Sequence, residues 1–268
     1  MMNPDPQDFN RGAIRPFACL REAWLLIKDD YWLFLGITLI ALLLGTVGGL
    51  ILSGPMMCGL HLCLLRRERE QSVSFNNLFQ GFDYFGHSLI ATLLMLVPTI
   101  VLLFGSLLLA GVGMVALFVA LGQGNNGPPE TPVIWGALSL GGIVLLGGFL
   151  ISILLKGLFL FTYPLIVDRQ LTGVEAVRLS MKAARANLGG VLGLTVLNEL
   201  LVLAGLFACY VGAIFVLPLS FALMAIAYRH VFPADNLRVL LPSESAYDDP
   251  DEPILKGTSA ETGIQSSP

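Results

Sequence analysis

The sequence predicts an all-α, polytopic transmembrane helical bundle, and three observations carry that expectation. Hydrophobic residues fill 55% of the 268 positions and charged residues only 13%, against roughly 25% charged in ordinary soluble domains. The mean hydropathy is +0.78. The charges are also clustered, leaving four apolar stretches at roughly 31–65, 87–121, 133–167 and 188–228. A soluble enzyme needs a polar skin that 15 Lys+Arg and 19 Asp+Glu, placed in this way, cannot supply. The same composition excludes a disordered regulator and a secreted disulfide scaffold.

Residues 1–12 read as a flexible polar N-terminus. The opening MMNPDPQDFNRGAIRPF lacks the basic, apolar, small-residue order of a cleaved signal peptide. The first hydrophobic segment is therefore expected to act as the insertion signal and to stay in place. Each apolar stretch would be about 50–60 Å long as a helix, while the hydrocarbon core is only ~30 Å thick. Each must fold back, tilt or break.

Basic residues choose among these options, because Lys and Arg concentrate on the cytoplasmic side. Arg11, Arg15, Arg21 and Lys28 precede the first stretch, and Arg66, Arg67 and Arg69 follow it. Arg169, Arg178, Lys182 and Arg185 separate the third from the fourth, and Arg229 and Arg238 follow the last. The connection at 122–132, GQGNNGPPETP, carries neither Lys nor Arg. With every basic cluster cytoplasmic, the first and last stretches are hairpins and the middle two are single long spans. The expected spans are 31–48, 50–66, 87–121, 133–167, 188–208 and 211–229, with both termini on the cytoplasmic side. A second layout breaks the middle stretches at Gly105-Ser106 and Gly147-Gly148, but it places this loop inside without any basic residue.

An amphipathic segment sits before three of the stretches. Ile14, Phe17, Leu20, Trp24 and Ile27 are spaced by threes and fours, as are Phe75, Leu78, Phe79 and Phe82, and Val174, Val177, Met181 and Ala184. Such helices suit the membrane–water boundary, apolar face toward lipid and basic face toward anionic headgroups. Arg21, Trp24 and Lys28 in the first, and Arg178, Lys182 and Arg185 in the third, are the expected lipid contacts. Asn187 is placed to cap the following helix. The chain thus reads as a unit of interfacial helix plus paired spans, occurring three times. The short match of Leu35-Gly36-Ile37-Thr38 with Leu192-Gly193-Leu194-Thr195 supports a repeat.

The run FTYPLIVDRQLTGVEAVRLSMKAARANLGG at 161–190 resembles a group of uncharacterised bacterial inner-membrane proteins. These include relatives of the membrane domain attached to some glycerophosphodiester phosphodiesterases. Pro164, Asp168, Ala176, Ser180 and Asn187 match the shared pattern, and SGPMMCGLHLCLLRR and PLSFALMAIAYRHVF are similar too. The resemblance spans most of residues 15 to 232. It implies a helical, repeat-built membrane domain covering 13–232 and implies no activity, since the phosphodiesterase chemistry resides in a separate soluble barrel.

Ionisable residues inside a bilayer are costly and are functional candidates by default. Lys156 lies 12 residues before Asp168, and Glu199 lies 12 residues after Asn187. At 1.5 Å per residue both charges sit about 18 Å from the cytoplasmic surface. They are expected to form a buried ion pair, with Asn198 as a hydrogen-bonding neighbour. Cys58, His61 and Cys63 make no metal site, because on a helix Cys63 falls ~140° from Cys58 and ~200° from His61. No catalytic constellation, phosphate loop, dinucleotide fingerprint or cofactor motif occurs. Residues 233–268, with the acidic run ESAYDDPDE, read as a disordered cytoplasmic tail. The expected function is non-catalytic: a membrane organiser or accessory subunit. Its partners would be membrane lipids and a membrane protein or a second copy of itself, without nucleic acid. The alternative is a small transporter or lipid-handling protein with its polar site at Lys156 and Glu199.

Overall fold

Backbone that crosses lipid must satisfy every N–H within its own segment or within a closed barrel. In the computed structural model, which describes residues 9–122, 131–207 and 211–233, all regular structure is helical. Six helical stretches are long and apolar enough to cross a membrane: Pro16–Val47, Gly49–Glu68, Phe75–Val115, Gly141–Arg169, Leu188–Phe207 and Gly212–Val231. The chain is an all-α polytopic bundle.

The first hairpin joins α2 (Tyr31–Val47) to α3 (Gly49–Glu68). Its turn runs through Gly49 at φ +56°, a left-handed conformation that glycine adopts at no steric cost. Ahead of it lies α1 (Pro16–Ile27), joined through a 3₁₀ turn at Lys28–Asp30. Arg67, near the end of α3, closes on that turn, 2.9 Å from Asp30.

The second hairpin is formed by α5 (Phe85–Gly122) and α6 (Thr131–Leu158). At 1.5 Å per residue α5 is about 57 Å long and α6 about 42 Å. Both run unbroken through Gly105-Ser106 and Gly147-Gly148. Only the base of this hairpin enters the core, through Ser88 and Ala91 on α5 and Ile153 on α6. Beyond it the two helices form an arm with exposed apolar side chains, among them Phe104, Leu108, Val112, Leu146 and Leu150.

One expected span divides in two. Residues 133–167 do not form a single helix, because the chain turns at Phe159–Phe161 and resumes as α7 (Thr162–Arg169). A break inside an apolar stretch leaves backbone groups without partners, and Ser180 takes up two of them. Its hydroxyl donates to the Leu158 carbonyl at 2.8 Å and accepts from the Phe161 N–H at 3.2 Å. Pro164 falls in the first turn of α7, where its missing N–H removes no helical bond. The third hairpin pairs α9 (Leu188–Phe207) with α10 (Val211–Val231), and α8 (Gly173–Ala186) leads into it.

The short segments dock on hairpins other than their own. α1 lies along α10, α8 packs on α7 and the start of α5, and α4 (Phe75–Phe79) with its following 3₁₀ turn lies on α3. This corrects the expectation that the apolar faces turn to lipid. α8 buries Ala176, Val177, Leu179, Ser180, Ala183 and Ala184 inside the protein, and α1 buries Cys19, Ala23 and Ile27. Small side chains let helices approach closely, so the buried face is the one richest in Ala, Ser and Cys. Larger side chains from the expected stripes, Phe17, Trp24, Phe75, Phe79 and Phe82, are exposed.

The start of α8 is closed by a reciprocal cap. Thr172 accepts from the Glu175 N–H, while the Glu175 carboxylate accepts from the Thr172 N–H and hydroxyl. These bonds, first from the Thr172 side chain and then from its backbone, hold the Glu175 pKa below its ordinary value. A depressed folded-state pKa stabilises above the unfolded pKa and ceases to do so as pH falls through the folded one. The cap is therefore expected to weaken on acidification below the ordinary carboxylate range. Thr172→Ala should lower stability by about 1 kcal/mol, read as a lower melting temperature in detergent at neutral pH. The gap from wild type should narrow in acid.

Candidate functional site

Two polar centres stand out among the described residues, and their settings differ. The first gathers the ends of three helices that close the hairpins: α3, α7 and α10. Asp168, in the last turn of α7, has a side chain only 3% exposed, and the Arg229 side chain on α10 is 7% exposed. Arg229 Nη1 donates to Asp168 Oδ2 at 3.0 Å and Nη2 to Oδ1 at 3.2 Å, a two-pronged guanidinium–carboxylate pair. The Tyr228 hydroxyl donates to Oδ2 at 2.7 Å, and Arg69 donates to Oδ1. On its other side Arg229 Nε donates to Glu68 Oε2 at 2.9 Å.

Helix termination places these groups. After Arg69 the chain passes through Glu70 at φ +58°, and after Arg169 through Gln170 at φ +51°. Left-handed geometry is uncommon outside glycine, and here it turns the chain sharply just beyond two members of the cluster. Tyr228, Phe161 and Phe232 pack against one another beneath it, and the Arg169 guanidinium lies 4.8 Å from the Phe232 ring centre. With bidentate pairing and closed hydrogen bonds, the arrangement can hold three helix ends together. A carboxylate occupied by two guanidinium groups and a phenol has little capacity left to act as a base.

From the sequence alone Asp168 falls at this end and Arg69 and Arg229 figure only in topology, while Glu68 and Tyr228 are not singled out. The available signal was an acid closing one apolar stretch (Asp168) and an acid within an arginine-rich run (Glu68). Asn187 was expected to cap α9, but its side-chain hydrogen bonds go to the N-terminal segment and to α8, whose C-cap it is. Its Nδ2 donates to the Asn10 and Ala183 carbonyls, each at 3.0 Å, and its Oδ1 accepts from the Ala13 N–H at 3.3 Å. The N-terminal segment is thereby tied to the α8–α9 junction.

The second centre is Lys156 with Glu199. Lys156 Nζ lies 2.6 Å from Glu199 Oε1, linking α6 to α9. The expected burial is absent, since the side chains are 60% and 27% exposed on the outer flank of the bundle. The close approach of the two helices explains this: Gly157 packs on Val191 and Thr195, which leaves the neighbouring Lys156 no room between them. Asn198 also departs from expectation. It is buried, and its Oδ1 has no hydrogen-bond partner and does not join the pair.

Of the expected lipid contacts, Arg21, Trp24, Lys28, Arg178, Lys182 and Arg185 are all exposed. His61 is buried in α3, where its Nδ1 donates to the Met57 carbonyl at 2.8 Å and its ring stacks near Tyr163. Among the described residues no three His, Cys, Asp or Glu side chains are grouped to hold a metal ion. Cys209, Arg238, the tail from 234 onward and most of the 122–132 connection lie outside the described residues. No family model, curated protein or solved structure matches the chain.

Proposed function

We propose that this protein is a non-catalytic organiser or accessory subunit of the bacterial cytoplasmic membrane, with both termini cytoplasmic. In this reading it contacts lipid through the exposed basic and aromatic residues of α1 and α8, and it contacts partner proteins laterally. The threefold recurrence of a short amphipathic segment followed by a hairpin is read as an internal repeat. The proposed relation to the phosphodiesterase-linked membrane domains rests on the 161–190 pattern.

The observation that carries the reading is the α5–α6 arm. Its helices exceed the ~30 Å hydrocarbon thickness, and its apolar side chains are exposed along faces that no other described helix covers. Lipid suffices for the apolar surface inside the hydrocarbon core, but helices of about 57 and 42 Å outrun that core, and a protein partner would cover the excess apolar length. The charged centres favour the same reading over transport. Asp168 is fully engaged in holding helix ends, and Lys156 sits on the outer flank rather than between helices.

Photo-crosslinking tests the proposal. A benzophenone side chain introduced at Leu108 or Leu146 in cells is expected to give discrete protein adducts, while one at Leu43 on α2 should give lipid adducts alone. A solute flux in proteoliposomes that disappears in Lys156→Met, with no protein adduct on the arm, would overturn the reading in favour of transport.

A further inference from the structure

We propose that the acidic run at 244–252 folds back onto the basic face of α8 and forms an intramolecular clasp. There it competes with anionic headgroups for the same cations. Docking of the run stands independently of the organiser reading; only the competition rests on that reading's lipid contact at α8.

The basic face is the one α8 keeps free. Its small side chains pack inward, while Arg178, Lys182 and Arg185 are exposed. Spacings of four and three place these cations on one side, over about 10 Å of helix. Arg11 and Arg15 are exposed as well, and their segment is held against the end of α8. Asn187 donates to the Asn10 carbonyl and accepts from the Ala13 N–H. A cleft of about 260 Å³ lies at this junction, lined by Gly12, Ile14 and residues 186–190. Salt bridges among the described residues use other cations: Arg67, Arg69, Lys156, Arg229 and His230. Acids at this end of the bundle are committed elsewhere, Glu22 to His230, Asp168 to Arg229 and Glu175 to the α8 cap.

Charge and tethering name the occupant. The run carries Glu244, Asp248, Asp249, Asp251 and Glu252 with no Lys or Arg, which complements the cations of α8 and the N-terminal segment. α10 ends beside that segment, because the Asn10 N–H donates to the Val231 carbonyl at 2.8 Å and Phe9 packs on Phe232. Lys182 Nζ in turn lies 5.9 Å from the centre of the Phe9 ring. Residues 234–243 separate the last described residue, Pro233, from Glu244. A chain of that length reaches up to about 36 Å. Contact through so short a link is intramolecular, which offsets the weakness of single exposed ion pairs. An anionic lipid surface repels the run, whereas the exposed arginines and lysine attract it.

A benzophenone side chain in place of Tyr247, inside the run, tests this on the full chain in nonionic detergent. Mass spectrometry should locate its adducts on α8 or on residues 10–16, with a yield unchanged by dilution of the protein. Raising the salt to about 0.5 M, where charges act only within about 4 Å, should lower the yield severalfold. R178Q/K182Q/R185Q should lower it to the same extent while melting as the wild type does, since all three side chains are exposed. In phosphatidylcholine vesicles the adduct should persist, and in phosphatidylglycerol vesicles it should decline as headgroups take the cations. Absence of these adducts in the wild type, or a yield undiminished in the triple variant, would overturn the clasp. A yield unaffected by phosphatidylglycerol would overturn the competition. Adducts at Leu108 and Leu146 report on the organiser reading separately, so the two fail independently.

Discussion

Asp168→Asn is expected to destabilise the protein by about 3–5 kcal/mol, the usual cost of removing one partner from a buried ion pair. The substitution preserves shape but removes the charge that two guanidinium groups share. Arg229 would keep Glu68, at 2.9 Å, while losing its two-pronged partner. With its side chain 7% exposed, it has little water to turn to. Arg69 is 39% exposed and rehydrates more readily, so the loss should be dominated by Arg229. The check is a double-mutant cycle with Arg229→Met, read as melting in detergent. Removing both charges should cost less than the sum of the single losses, because neither partner is then left stranded. Additive losses would show that the two side chains act independently.

Gly59→Ala is the second substitution with a large expected effect. A methyl group at Gly59 would overlap the Leu78 carbonyl, and one at Gly81 would overlap the Pro55 carbonyl. The clashing atoms are backbone, so no side-chain rotation relieves them and α4 must move off α3. Overpacking of this kind costs about 1–3 kcal/mol and occasionally more. Gly105→Ala on the arm is the control. No atom lies within 4 Å of its added methyl, so the higher helix propensity of alanine, worth roughly 0.5–1 kcal/mol, should show. Reduced yield and melting temperature in Gly59→Ala, set against unchanged or raised values in Gly105→Ala, would confirm the close approach of α4 to α3.

How much of this was legible from residues alone depends on the range of each feature. The apolar stretches were legible because span length is set locally by bilayer thickness. The turn between the spans 31–48 and 50–66 was legible because the flanking basic clusters require the chain to fold back there, and it falls at Gly49. The juxtaposition of Lys156 and Glu199 was expected and is found. The residue count behind it, however, ran to Asp168 through the break at 159–161 and so did not measure depth along one helix. The break at 159–161 was not legible, since Leu-Phe-Leu-Phe-Thr continues an apolar run and its compensation comes from Ser180, on the next helix. The faces of α1 and α8 were only partly legible, because hydropathy favours Phe17, Trp24 and Val174, which are exposed. Close packing kept Ile14, Ile27, Val177 and Ala184 from the expected stripes and added Cys19, Ala23, Ala176 and Ala183.

The 13% of charged residues and their clustering determine the class of the molecule, a helical bundle with six stretches able to cross a membrane. That follows from the solvent, because only contiguous apolar helices can occupy hydrocarbon. The tertiary structure alone decides what the charges do once they are there. Glu68, Asp168 and Arg229 are separated by 100 and 61 positions in the chain, and they meet only because three helices end at one place. Lys156 and Glu199 meet on the outer flank and not inside it, because Gly157 brings α6 too close to α9 to admit a side chain between them. Local patterning specifies which segments enter the membrane, and the geometry of helix contact specifies which of their faces remain free.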